Sequence, residues 1–190
     1  LGDEPYEKYA APTKIPGAAL EFDLAKFGKV VSNELDIKTG LSVIKFKSGI
    51  VFNNYIHAVN QVGYFGFENL STTTVIPELL TPNYNTGRPG TSGSSVEGIG
   101  LEKLGYKKGT ITKTNNSIRY HQPTWRHNYY EVLVKWYRLP GNKLIGQWAI
   151  SNNKPANLSD PDFKLKEPTG WPSHSKWWND YWSRSYVSLP

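Results

Sequence analysis

Cysteine is absent from this chain of 190 residues, and so is methionine. Without thiols there is no disulfide framework, no thiolate metal site and no cysteine nucleophile. Without Met, Leu1 is not an initiator, so N-terminal processing and an extracellular, cell-surface or virion-surface location are expected. No apolar run approaches the roughly 18 residues of a membrane-spanning helix. Histidine is scarce, at His57, His121, His127 and His174, and none sits in the spacing of a transition-metal site. Asp160 and Asp162 with Asn157 lack the Gly and terminal Glu of an EF-hand loop. The glycine-rich run 87–100 lacks the Gly-Lys-Ser/Thr that closes a phosphate loop, and Ser94 and Ser95 lack a Gly-x-Ser-x-Gly elbow. Neither a metal nor a cofactor is expected.

What is present in excess is aromatic and basic. Aromatic residues make up 14% of the chain, and the formal net charge is +6. The charge is concentrated in residues 101–150, where nine Lys and Arg face only Glu102 and Glu131, leaving the remainder at −1. Lys103, Lys107, Lys108, Lys113, Arg119 and Arg126 form a candidate basic face. Such a face suits a polyanion, an acidic patch on another copy, or simply solvent. The absence of a dense basic run or a reading motif argues against nucleic acid as a partner.

Three segments follow from punctuation and periodicity. Residues 1–17, with Pro5, Pro12 and Pro16, read as an extended N-terminal arm with Tyr6, Tyr9 and Ile15 as apolar anchors. Residues 18–150 read as a β body with a long loop at 81–100. Leu20, Phe22 and Leu24 alternate, residues 26–35 allow a helical turn, and Thr39-Gly40 and Ser48-Gly49 mark turns. Gly63 and Gly66 predict a bulge or a close backbone contact. Asn115-Asn116 predicts a hairpin over 110–120, and Pro140-Gly141 another between 129–138 and 143–150. Within 129–138, Tyr130, Val132, Val134 and Trp136 share one face. With no helix-length amphipathic stretch between strands, the fold expected is all-β, an antiparallel sandwich or jelly roll.

Residues 151–190 form the third segment, whose prolines argue against long helices while its aromatics argue against disorder. It is expected as an extended C-terminal arm whose tryptophans are mostly buried. Two ordered arms on a β body predict a non-enzymatic surface subunit that assembles with other copies of itself into a filament or shell. Trp171, Trp177, Trp178, Tyr181 and Trp182 offer an alternative, a carbohydrate-binding module stacking on sugar rings, or a membrane-active, pore-forming toxin. A further alternative is a small cationic ribonuclease-like toxin, with His121, His127, Glu131 and Arg119 as a metal-independent acid/base set. Sequons at Asn69, Asn115 and Asn157 permit glycosylation at about the frequency chance supplies.

Overall fold

The computed structural model describes residues 17–70, 75–85, 87, 100–158 and 170–184. They form antiparallel β-structure. Strands β2 (Val30–Asp36), β3 (Leu41–Phe46), β4 (Val51–Ile56), β5 (Val62–Glu68), β7 (Thr110–Lys113), β8 (Ser117–Pro123), β9 (Tyr129–Leu139) and β10 (Lys143–Asn152) make one eight-stranded sheet in the order β2-β3-β4-β5-β10-β9-β8-β7. A second, two-stranded sheet pairs β1 (Ala19–Glu21) with β6 (Glu78–Leu80). Four of the six hairpins in the large sheet form at predicted turns, while the β4–β5 and β8–β9 connections carry no predicted turn. Gly40, Gly49 and Gly141 take left-handed φ of 65°, 86° and 78°, which glycine adopts without a Cβ clash.

Alternation decides which side of the large sheet is core. Val132, Val134 and Trp136 of β9 are buried with Ile118 and Tyr120 of β8, Leu144 of β10, Phe65 and Phe67 of β5, and Phe52 of β4. The small sheet closes over this face through Leu79 and the half-buried Leu20 and Phe22. Phe22 contacts Phe52, Phe65 and Phe67 with ring centroids 4.9 to 5.4 Å apart. Tyr130 donates a hydrogen bond of 2.7 Å to the Gly17 carbonyl, which fixes where the chain enters the body. At the junction of β5 and β10 the phenyl ring of Phe65 lies over Gly146, and the Trp148 indole lies over Gly63. The close approach expected at Gly63 is therefore a ring packed on its Cα. The β5 ladder runs through both glycines without a register shift.

Two expectations about secondary structure fail. Residues 26–35 do not form a helical turn: only Ala25–Phe27 is 3-10, and the rest enters β2, where Ser32 to Asp36 ladder against β3. The C-terminal segment is not extended throughout, since Trp171–Arg184 is a 14-residue helix, α1. Its prolines do not forbid this. Gly170 turns the chain with φ 94°, and Pro172 occupies the first turn, where no backbone N–H is needed. No proline follows until 190, and Lys176 pairs with Asp180 one turn on at 2.8 Å.

The helix docks on the face of the large sheet opposite the main core, through His174, which is fully buried. Backbone N–H of Ala58 donates to His174 Nδ1 at 3.1 Å, so the ring proton is on Nε2 and donates to the Thr39 carbonyl at 2.6 Å. Beside it, His57 Nδ1 accepts from the N–H groups of Val59 and Asn60, which leaves Nε2 to donate to Ser173 Oγ at 3.0 Å. Tyr55, Trp171 and His57 ring the buried imidazole at 4.6, 5.3 and 5.6 Å between centroids. The tryptophans are less covered than expected. Trp171 and Trp178 are half-buried, whereas Trp177, Tyr181 and Trp182 are exposed, with Trp177 stacked on Tyr181 at 5.4 Å.

Candidate functional site

Strand β8 alternates Arg119 and His121 onto the face that does not join the main core, and the register sets His121 directly opposite Glu131 of β9. Glu131 is buried, only 9% exposed, and its carboxylate accepts three hydrogen bonds among the described residues. Oε1 takes a hydrogen bond from His121 Nδ1 at 3.1 Å. Oε2 accepts from the Arg119 guanidinium and, at 2.9 Å, from the Ala156 backbone N–H. Burial alone would raise the pKa of this carboxyl; the bonds from Ala156, His121 and Arg119 outweigh it and hold the group below the usual carboxylate range. Glu131 is thus an anion that fixes His121 by Nδ1 and leaves Nε2 as the available nitrogen.

In front of His121 opens a cleft of about 460 Å³. Lys107, Arg126 and His127 line it together with Trp125 and Tyr129, and no acidic residue lines it among the described residues. The His121 imidazole lies against the Tyr129 ring, with centroids 4.7 Å apart. The far wall is a loop in which Arg126 and His127 both take left-handed backbone, with φ of 54° and 67°. Such a conformation costs a non-glycine residue roughly 1 kcal/mol or more, so two in succession persist only where the surroundings enforce them. Here they are enforced. Thr124 N–H donates to the Asn128 carbonyl at 2.7 Å, and Asn128 N–H to the Trp125 carbonyl at 3.1 Å. Asn153 donates to Asn128 Oδ1 at 2.9 Å and accepts from the Tyr129 N–H at 2.9 Å.

The sequence-derived set is therefore brought together in two layers. His121 and His127 line one cleft, whereas Arg119 and Glu131 stand behind His121 and do not line it. The cations that do are Lys107 and Arg126, read from the sequence only as part of a basic face. Lys103, Lys108 and Lys113 are exposed and lie outside that lining. Trp125 and Tyr129 were not anticipated as site residues. Their signal was available, since both fall within the loop and strand start that carry His127. Tyr6, Tyr9 and Ile15 lie outside the described residues. Among the described residues no group of three or more His, Asp or Glu side chains is placed to hold a metal. No helix among them is long and apolar enough to cross a membrane. No protein-family model matches the chain, and no curated protein matches it.

Proposed function

We propose that the protein binds a single-stranded phosphodiester, RNA in the first instance, in the His121 cleft and cleaves it by metal-independent acid–base chemistry. The observation that carries this reading is the His121–Glu131 pair at the head of a cleft with cationic and aromatic walls. Glu131 holds Nδ1, so Nε2 takes the proton from a ribose 2′-hydroxyl as that oxygen bonds to phosphorus. His127 gives a proton to the 5′-oxygen as the P–O5′ bond breaks, leaving a 2′,3′-cyclic phosphate and a free 5′-hydroxyl. Lys107 and Arg126 offset the charge that develops on the phosphorane oxygens, and Trp125 and Tyr129 supply faces for an unstacked base. For the finer architecture, we take the small β1–β6 sheet to be the second layer of a sandwich that backs this site. A 2′-deoxy linkage cannot form the cyclic product. Synthetic RNA should be cut in the presence of EDTA and the matched DNA should not, with His121→Ala slowing cleavage by about 10²–10⁴. RNA left intact by the native protein, or cut equally well by His121→Ala, overturns the reading.

Self-association is a second reading, supported by the outer edge of the large sheet. Val31 and Leu35 of β2 are 67% and 64% exposed on a strand that pairs with β3 alone among the described residues. An edge of this kind templates another strand. β2 carries Glu34 and Asp36, and the opposite edge, β7, carries Lys113, so β2 of one copy matches β7 of the next in charge. On this reading Val31→Lys lowers the mass found by light scattering, and an unchanged monomer in both proteins disposes of it.

A further inference from the structure

A second cleft, of about 250 Å³, lies where α1 meets the sheet, on the face away from the main core. Its floor includes Gly66 and Asn53, which oppose one another across the β4–β5 ladder. Tyr55, Tyr64 and Trp171 line one side: the two tyrosine rings are buried and stacked on each other at 4.8 Å, and Trp171, set edge-on to Tyr55 at 5.1 Å, is the half-buried ring of the three. At the rim Glu68 and Lys143 stand 3.9 Å apart, both nearly half exposed.

Gly66 has no packing reason to be glycine. A Cβ added there would meet only the Leu144 carbonyl oxygen, at an ordinary 3.6 Å. Gly63 on the same strand is the contrast, because there an indole occupies the Cβ position. A glycine within a strand is destabilising by roughly 0.5–1 kcal/mol and commonly marks a place where a ligand approaches the backbone. What Gly66 does achieve is an open floor. Asn53 points to the same use: it is half-buried, and its amide makes no side-chain hydrogen bond among the described residues.

We propose that this cleft binds one neutral sugar ring, a pyranose, independently of the His121 cleft. The apolar C–H face of a pyranose packs on an aromatic ring, while its hydroxyls need an amide and a carboxylate. An apolar ligand would strip water from Asn53 without replacing its hydrogen bonds. A charged ligand gains little at a rim where Glu68 and Lys143 already balance each other. Drug-sized ligands occupy roughly 300–1,000 Å³, so a cleft of about 250 Å³ suits a single ring.

The test titrates the full chain with methyl glycosides of glucose, galactose, mannose and N-acetylglucosamine, read by tryptophan fluorescence and saturation-transfer NMR. At least one should bind saturably. Gly66→Val fills the floor and should weaken that sugar by about tenfold or more while leaving Tm within a few degrees of the native protein. Asn53→Ala, which adds no bulk, should weaken it by about tenfold as well. His121→Ala should bind it as the native protein does, so loss of RNA cleavage and loss of sugar binding are separable. No binding by any of the four glycosides, or undiminished binding by both Gly66→Val and Asn53→Ala, overturns the proposal.

Discussion

Gly146→Ala is expected to destabilise the protein by about 3 kcal/mol and to lower Tm by roughly 6–12 °C. The added methyl would fall inside the ring of Phe65, which is 4% exposed and packed against Phe22, so it has no room to withdraw. Gly63→Ala should do the same, because its methyl would fall inside the Trp148 indole. The two sites are one device: Gly146 faces Phe65 and Gly63 faces Trp148 across the same ladder, so each strand lends a ring to the other strand's glycine. Gly66→Ala is the internal control and should be close to neutral, since its methyl would meet only the Leu144 carbonyl oxygen at an ordinary 3.6 Å where the others have aromatic carbon. Phe65→Leu should partly rescue Gly146→Ala, giving a double variant less damaged than the two singles combined. Thermal and urea unfolding of the set measures this. A Gly146→Ala protein within about 0.5 kcal/mol of the native one would show that the ring does not sit on that backbone.

The second large effect concerns His174. Removing its side chain leaves the Thr39 carbonyl and Ala58 N–H without their partner and opens a space among Tyr55, His57 and Trp171. The expected loss for His174→Ala is about 3–4 kcal/mol of helix docking, seen as rapid amide exchange throughout α1 while the sheet stays protected. Acid should mimic the substitution. Burial disfavours the imidazolium and the neighbouring His57 adds to that, while the bond to the Thr39 carbonyl opposes it; the net result is a depressed pKa. An undocked helix leaves His174 near its ordinary value of about 6.5. The undocked state therefore binds the proton more readily. Docking is fully present above about pH 7 and weakens as the pH falls through 6.5, by at most about 1.4 kcal/mol per pH unit for one proton. Helical circular dichroism followed from pH 8 to pH 4.5 checks this. A signal that stays flat, in step with the sheet signal, would refute it.

The sheet was legible in the sequence because its signals are local. Alternation in 129–138 identified Val132, Val134 and Trp136 as core, and Gly40, Gly49 and Pro140-Gly141 marked the turns. The helix was not legible, because five prolines in forty residues argue against one on average, while Pro172 falls at the single place where a helix tolerates one. The stripe of Trp171, His174, Trp178 and Tyr181, at intervals of three and four, was the signal that outweighs such an average. His174 itself could not be assigned from sequence, since its partners are the backbone of Thr39 and Ala58, more than a hundred positions away. The candidate site divides in the same way. His121 and Glu131 meet because a short loop fixes the β8–β9 register, which sequence foreshadows. Lys107 arrives through tertiary packing, which it does not.

The order of strands in the large sheet also bears on how the chain reaches this structure. β2 to β5 is one uninterrupted series of hairpins and β7 to β10 is another, so every ladder but one joins neighbours in sequence. The exception is β5 with β10, whose residues are some eighty positions apart. Each half can zip locally with little loop-closure entropy, whereas joining them requires a long intervening loop to close first. That seam is where Phe65 and Trp148 cross onto the opposing glycines. The slow event in folding is then expected to be the meeting of two locally formed meanders, with the interlocked rings completed only on that encounter.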